Sequence, residues 1–242
     1  DGEALWPAVA RAEELHELRA VDPLGFAALY QQHPVPDGGA VILATHLERR
    51  WAHLTPMLHQ PGRWVQSWDC RNDGKDLRRS SQVAAHLYFE PAHEPAASYL
   101  IDKRGGPWTP DETLAQFDAL QDDPLWGRAS VRLIEAKADG KMLLSLRQRQ
   151  YSGMTPITPT DDKVTRARAV VPLLAAGQLV APEDAPWLGQ VVADLLTFPA
   201  GSHDDDVDAL TQYLAWRYLA PVDKHAPPPN PLERLRARQG RP

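Results

Sequence analysis

The stretch RWVQSWD, at residues 63–69, is typical of a β-strand that ends in a carboxylate, Asp69. Its valine and tryptophans suit the pleated, half-buried surface of a sheet. A similar stretch, QVAAHLYF at residues 82–89, follows after a short basic segment. A third, SYLIDK at residues 98–103, is ended by a Gly-Gly-Pro turn. These stretches predict three hairpin-like strands at the start of a sheet.

Downstream, the pattern changes to alternating helices and strands. The stretch VRLIE, at residues 131–135, predicts a buried strand that delivers Glu135 at its end. Helices are predicted at residues 109–120, 141–150, 162–176 and 186–198, with an extended piece at 156–159 and a closing helix that starts near Asp204. This order predicts an α/β fold with a mixed sheet flanked by helices, and it agrees with a ribonuclease H-like core.

The two ends of the chain differ from the middle in composition. Residues 8–20 have apolar side chains at helical spacing, and a second short helix leads into a proline- and glycine-punctuated boundary at 34–39. The end of the chain is rich in proline and then basic. We therefore expect a linker segment at residues 1–41, a folded domain at 42–220 and an extended tail at 221–242.

Composition limits the class of protein. The chain has 242 residues, of which 43% are hydrophobic, so it can bury a sizeable core. It has no apolar run of about 18 residues, which a membrane helix requires, and its acidic first residues do not form a secretory signal. The single cysteine, Cys70, excludes an internal disulfide and a cysteine-built zinc site. These features predict a protein of the reducing cytosol.

The net charge of −6 argues mildly against a surface that binds nucleic acid over its whole extent. Local groups of cations nevertheless occur, and each is consistent with either a solvated charge run or a nucleic-acid contact. They are Arg71, Lys75, Arg78 and Arg79 between the first two strands, Lys163, Arg166 and Arg168 at a helix start, and Arg234, Arg236, Arg238 and Arg241 near the end.

The acidic stretch HDDDVD, at residues 203–208, needs an explanation because adjacent carboxylates repel one another. The simple explanation is a solvated helix start, where acidic groups are favoured. The alternative is a divalent cation, since the carboxyl ends of strands gather functional groups at one edge and Asp69 and Glu135 both end strands. Two ions about 3.5–4 Å apart, held by such acids, can cleave a phosphodiester. The spacing alone leaves both explanations open.

Several motifs, in one order, closely resemble the C-terminal nuclease domain of tailed-phage terminase large subunits. The resemblance extends over residues 4–219, and its first part, residues 4–41, resembles the segment that joins this nuclease to the packaging ATPase. The motifs are WVQSWDC (64–70), SYLIDKRGGPW (98–108), LIEAKADGK (133–141), DKVTRARAVVPLLAAGQLVAP (162–182) and LLTFPAGSHDDDVDAL (195–210).

The resemblance implies a ribonuclease H-like fold, dependence on Mg²⁺ or Mn²⁺, with two ions expected, and endonucleolytic cleavage of double-stranded DNA. Asp69 matches the first-strand acid of the family and Glu135 the middle-strand acid. In the third motif we favour Asp205, with Asp208 on the same helix face as second candidate and Asp204 as third. Asp206 is expected to point to solvent.

Further residues are assigned through the same motifs. Lys163 and Arg166 match a family element that is expected to hold the DNA backbone, as is the loop with Arg71, Lys75, Arg78 and Arg79. Lys137 and Lys141 flank Glu135 and are expected near the scissile phosphate, although Lys141 also suits a solvated helix start. His203 is an accessory candidate that would orient a phosphate or a water, or simply precede the helix.

The chain contains no G-x-x-x-x-G-K-[ST] phosphate loop. A packaging ATPase is therefore expected upstream in a longer protein or in a separate one. The expected partners are double-stranded DNA, this ATPase domain, the portal protein and the small terminase subunit, with no membrane, in the host cytoplasm and transiently at the procapsid portal. Two rival interpretations are a non-catalytic module that docks the motor to the portal and a resolvase-like repair nuclease.

Overall fold

The computed structural model describes residues 41–70, 82–201 and 203–219. Its strands are β1 (Arg50–Trp51), β2 (Gly62–Asp69), β3 (Val83–Pro91), β4 (Ser98–Gly106), β5 (Val131–Glu135), β6 (Met154–Ile157) and β7 (Leu179–Pro182). Its α-helices are α1 (Thr55–His59), α2 (Pro110–Asp122), α3 (Ala138–Arg147), α4 (Lys163–Ala175), α5 (Leu188–Thr197) and α6 (Asp205–Leu214), which continues as a π-helical turn, Ala215–Leu219.

The strands form one mixed sheet in the order β1-β7-β4-β3-β2-β5-β6. β3 is antiparallel to both of its neighbours, β2 and β4, whereas the other neighbouring pairs are parallel. β2 and β5 therefore run side by side in the same direction, and their carboxyl ends lie at the same edge. This is the mixed α/β sheet of the ribonuclease H-like fold that the sequence predicts.

Helices cover both faces of the sheet. On one face, called here the closing-helix face, Val65, Tyr88 and Leu133 of the strands pack with Val170 of α4 and Leu210 of α6. The intervening residues of the same strands point to the other face, called here the aromatic face, and pack against α2 and α3. This second cluster includes Trp68, Phe89, Ile134, Phe117, Trp126 and Leu143. The alternation fixes which end-of-strand side chain faces which layer.

Most predicted elements are present with small shifts of their ends. The helix predicted at residues 141–150 begins earlier, at Ala138, and the extended piece predicted at 156–159 is strand β6, Met154–Ile157. The sequence reading missed β1, β7 and α1, which have 2, 4 and 5 residues. Elements this short carry too few positions for a periodic pattern.

The predicted linker at residues 1–41 lies outside the described residues except for Val41, and so does the tail at 221–242. No helix within 41–70, 82–201 and 203–219 is both long and apolar enough to cross a lipid bilayer.

Candidate functional site

Asp69 and Glu135 are neighbours at the carboxyl ends of adjacent parallel strands. Trp68 of β2 is paired with Ile134 of β5, so the next residue on each strand, Asp69 or Glu135, lies beside the other. Both follow the alternation of the closing-helix face, and both are buried, with exposed fractions of 8% and 5%. The two side chains are joined by a hydrogen bond.

Gly140 lets helix α3 start close to Glu135. A Cβ atom added to Gly140 would lie 1.9 Å from the carbonyl oxygen of Glu135, a distance that no side chain tolerates. Glycine at this position therefore allows the first turn of α3 to approach the end of β5. The close approach places the start of α3 beside the backbone of Glu135.

Helix α6 brings further acids to the same edge. Asp205 and Asp208 lie three residues apart and share one helix face, and both contribute to a cavity of about 40 Å³. This cavity, called here the carboxylate cavity, is lined by Asp69, Cys70, Glu135, Lys137, Lys163, Asp205 and Asp208. The structure thus brings together acids from three segments of the chain, as the sequence predicts.

The pKa values of the two hydrogen-bonded carboxyl groups shift in opposite directions. Burial, then the hydrogen bond with Glu135, raises the pKa of Asp69 well above its usual range. Burial acts to raise the pKa of Glu135 also, but the hydrogen bond from Asp69 and the cation of Lys137 outweigh it and lower the pKa. These directions favour a proton on Asp69 and a negative charge on Glu135.

The pKa values of Asp205 and Asp208 on α6 are also raised. Burial raises the pKa of Asp205 to about 7, although its carboxylate accepts a hydrogen bond of 3.1 Å from the backbone N–H of Gln82. Burial raises the pKa of Asp208 as well, against the opposing effect of Lys163 and Arg166. A cluster of carboxylates with raised pKa values in one cavity is typical of a functional site.

Three cations compensate this buried negative charge. Lys137 Nζ lies 2.7 Å from Glu135 Oε1, and Lys163 Nζ lies 2.7 Å from Asp208 Oδ2. Arg166 Nη2 lies 2.6 Å from Asp208 Oδ1, and its side chain is only 12% exposed. Arg166 is thus buried in its ion pair with Asp208. The side chains of Lys137 and Lys163 are 45% and 46% exposed and remain accessible to solvent. The predicted DNA contacts of all three stay predictions.

Asp206 does not point to solvent, and that expectation is wrong. Its side chain is 6% exposed, with Oδ1 2.8 Å from His86 Nε2 and Oδ2 2.9 Å from Lys103 Nζ. Burial acts to raise the pKa of Asp206, but His86 and Lys103 outweigh it and lower the pKa. Because both partners lie on distant strands, no spacing within the acidic stretch reveals them.

The remaining candidates lie around the carboxylate cavity. Asp204 precedes α6 and pairs with Lys163 at 2.6 Å, outside the cavity lining. Lys141 is exposed on α3, as a solvated helix-start residue would be. Arg71, Lys75, Arg78 and Arg79 lie outside the described residues.

His203 lines a second, larger cavity of about 300 Å³ beside α6. Its Nδ1 atom is buried and has no hydrogen-bond partner among the described residues. Of the carboxylate-cavity acids, only Asp205 also lines this second cavity. Sequence reading missed Asp194 there; burial, then the charge of Asp206, raises the pKa of Asp194 to about 6.

Over residues 41–70, 82–201 and 203–219, no group of three or more histidine, cysteine or acidic side chains has the arrangement of a preassembled metal site. The contacts above explain this finding. The Asp69–Glu135 pair is hydrogen-bonded, and cations occupy oxygens of Glu135 and Asp208. The acids share a cavity, and their closest charged neighbours are cationic side chains.

Comparison with known proteins finds one family model that matches part of the chain. Residues 125–215 match the model of the terminase RNaseH-like domain. The match includes the Glu135 strand, the DK-x-x-RA element and the acidic stretch, whereas the Asp69 strand lies before it. The resemblance to terminase nucleases is thereby confirmed. A search of curated proteins finds no significant match.

Solved structures of terminases are also similar. The large terminase nuclease of thermophilic phage G20c with bound magnesium is 15% identical, with a TM-score of 0.49 over 73% of this chain and 96% of that one. Its zinc-bound form is 16% identical, with a TM-score of 0.48 over 71% and 92%. The large terminase of another thermophilic bacteriophage, in complex with ATP-γ-S, is 10% identical, with a TM-score of 0.49 over 69% and 42%.

Proposed function

We propose that this chain, whose residues 125–215 match the model of the terminase RNaseH-like domain, is a metal-dependent endonuclease that cleaves double-stranded DNA concatemers during viral genome packaging. The observation that carries the proposal is the shared cavity of Asp69, Glu135, Asp205 and Asp208. Burying four acids together is costly for folding, and a docking module would gain nothing from it.

The donor set fits Mg²⁺ or Mn²⁺. The acids offer hard carboxylate oxygens, which these ions prefer. Cys70 lines the same cavity, but burial raises the pKa of its thiol well above the usual range, so it adds no thiolate. Asp69, Glu135 and Asp205, with Asp208, would hold the metal, and Asp204 is the outermost candidate. Two bound ions would activate a water and stabilise the leaving oxygen of the phosphodiester.

The chain's own residues prepare this site. Because the pKa of Asp69 is raised, metal binding by both members of the Asp69–Glu135 pair would require Asp69 to be deprotonated. Arg166 orients Asp208 through the ion pair at 2.6 Å. Lys137 and Lys163, half exposed at the cavity, are placed to exchange a carboxylate for a backbone phosphate, which lysine binds without reading sequence.

Other proposed DNA contacts are Lys141 and the basic loop with Arg71, Lys75, Arg78 and Arg79, and His203 is proposed to orient a phosphate or water. Concatemer cleavage during packaging requires a motor, so the proposed partners are a terminase ATPase domain, the portal protein and the small subunit. The proposed location is the host cytoplasm, at the procapsid portal during packaging.

The test is cleavage of supercoiled plasmid in Mn²⁺, Mg²⁺ or EDTA. We expect metal-dependent nicked, linear and then smeared products. Asp69→Asn and Asp205→Asn should each lower the rate at least about 100-fold, because loss of a ligand exceeds the 10- to 100-fold cost of losing an outer partner.

The matched control is Asp118→Asn, which neutralises an aspartate on α2 that pairs with Arg147. It should cleave like the unmodified chain. All variants should keep the same circular dichroism spectrum. An intact plasmid under every metal, or equal cleavage by the site variants, would contradict the proposal and favour the docking module.

A further inference from the structure

The carboxylate of Asp206 lies between His86 and Lys103, and these two contacts anchor the first turn of α6 to the sheet. His86 is fully buried, and Lys103 is 18% exposed. Each takes one oxygen of the Asp206 carboxylate, at 2.8 and 2.9 Å. Both acceptor atoms are thus used, and the carboxylate is held in one orientation.

The partners belong to a row that crosses three strands. Ser67 of β2 pairs with His86 of β3, and His86 pairs with Lys103 of β4. All three contact α6. His86 and Lys103 contact Asp206, and Ser67 Oγ donates a hydrogen bond of 2.8 Å to the carbonyl oxygen of Ala209. The row therefore fixes α6 along its axis as well as across it.

A β-bulge places Lys103 in this row. The pairing of β3 with β4 shifts between Leu87 and Tyr88, so that Ile101 is the extra residue. Leu100 packs on the closing-helix face, and regular alternation would give that face to Asp102. Instead Asp102 accepts a hydrogen bond from Trp126 on the aromatic face. Lys103 faces α6 as a result.

The anchoring continues along the helix. The second ring nitrogen of His86, Nδ1, lies 2.9 Å from the Tyr88 hydroxyl, and the Tyr88 ring stacks on Tyr213 of α6 with centroids 3.6 Å apart. The Tyr213 hydroxyl lies 2.8 Å from Ser98 Oγ. Replacing buried polar groups with apolar ones often leaves stability unchanged, so such a network is better explained by the register it specifies.

That register decides where the cavity acids lie. Asp205 precedes Asp206 directly, and Asp208 follows in the same helical turn. A sliding or rotation of this turn by about 1 Å, enough to disturb a site, would move both carboxylates away from Asp69 and Glu135. The backbone N–H of Gln82 holds Asp205 from the opposite side.

We propose that Asp206, clamped by His86 and Lys103, is a positioning residue that sets the α6 acids for metal binding. This inference rests on the proposed function. Asp206 itself does not line the carboxylate cavity, so its role is to position Asp205 and Asp208.

The test measures Mn²⁺ binding to the full chain by isothermal titration, with Asp69→Asn as the blank, beside plasmid nicking as a function of Mn²⁺. Asp206→Asn and Lys103→Met should weaken Mn²⁺ binding about 10- to 100-fold, as expected for residues that orient ligands. Lys103→Arg should restore it, because the cation is retained. Hydrogen exchange should accelerate at the backbone amides of residues 205–208.

Asp118→Asn is the matched control, because it neutralises an aspartate of α2 that pairs with Arg147 and has no contact with Asp206 or Lys103. It should bind Mn²⁺ like the unmodified chain. Folded Asp206→Asn and Lys103→Met proteins with unchanged Mn²⁺ affinity would overturn the positioning role alone. An unmodified chain that neither binds Mn²⁺ nor cleaves DNA would overturn the proposed function and this inference together.

Discussion

The two faces of the sheet are built from the same strands but are filled in opposite ways. On the aromatic face, Trp68, Phe117 and Trp126 are fully buried and in ring contact. On the closing-helix face, the edge beside the carboxyl ends of β2 and β5 contains five buried carboxylates. These are Asp69, Glu135, Asp205, Asp206 and Asp208.

This difference separates stability from function. Burial of an aromatic ring is favourable, and the indole N–H groups of Trp68 and Trp126 have hydrogen-bond acceptors, so the aromatic face contributes to folding directly. Burial of an acid is unfavourable unless a cation or a hydrogen bond compensates it, and the raised pKa values of Asp69 and Asp205 show that compensation is incomplete. Changes on the two faces should therefore alter stability in opposite directions.

The largest expected effect on stability is that of Trp126→Ala. Trp126 is fully buried, and its indole N–H donates a hydrogen bond of 2.8 Å to Asp102. Removing the ring leaves a cavity and an acceptor without its donor, which should lower the free energy of unfolding by about 3–5 kcal/mol. Urea denaturation measures this loss.

Trp126→Phe keeps most of the ring volume and should lose less. Both folded variants should retain Mn²⁺ affinity, since Trp126 packs on the face opposite the acids. A change in Mn²⁺ affinity without a change in unfolding free energy would break the separation of the two faces.

A stabilising effect is expected for Asp194→Asn on the other side of the sheet. Burial and the charge of Asp206 raise the pKa of Asp194 to about 6 in the folded protein, whereas Gln190, His203 and Lys103 act to lower it. A group with a raised folded pKa stabilises fully below its unfolded pKa, about 3.9, and loses that contribution as the pH rises through about 6. Asparagine carries no charge and keeps an acceptor for Gln190.

The variant should therefore match the unmodified chain near pH 4 and exceed it by up to about 3 kcal/mol in free energy of unfolding above about pH 7, at about 1.4 kcal/mol per tenfold change in the acid constant. Urea denaturation at several pH values measures the difference. A difference that does not depend on pH would mean that Asp194 is not buried in its ionised form at neutral pH.

The sequence predicts these two faces unevenly. Strand β5, Val131–Glu135, has the predicted bounds because a short apolar run ending in an acid is a clear signal. Asp69 and Glu135 could be placed at one edge because parallel strands share their carboxyl ends. Helical spacing explains why Asp205 and Asp208, three residues apart, could be assigned to one helix face.

The position of Asp206 could not be predicted in the same way. Its partner His86 is 120 residues away along the chain, and Lys103 faces α6 only because of the bulge at Ile101. A bulge leaves no periodic signal in one sequence, and a cross-strand register depends on packing that pattern analysis does not contain. The two cavities and the opposite pKa shifts of Asp69 and Glu135 are likewise products of three-dimensional contact.

The smallest expected effect belongs to an ion pair at the surface, Asp118 with Arg147. The contact is bidentate, with Nε 2.8 Å from Oδ1 and Nη2 2.7 Å from Oδ2, but the two side chains are 33% and 22% exposed. Asp118→Asn should lower the free energy of unfolding by about 1 kcal/mol or less, and by less still in high salt. The hydrogen bond from Arg147 lowers the pKa of Asp118, so this stability is present above the unfolded pKa and disappears as the pH falls through the folded pKa.

The measurement is urea denaturation of Asp118→Asn, of Arg147→Met and of the double variant, which together give the coupling energy of the pair. The usual upper value for an exposed pair is about 1 kcal/mol. A coupling energy well above it would show that charge also stabilises the helices over the aromatic face. The contrast between the two faces would then apply only to charges that are buried.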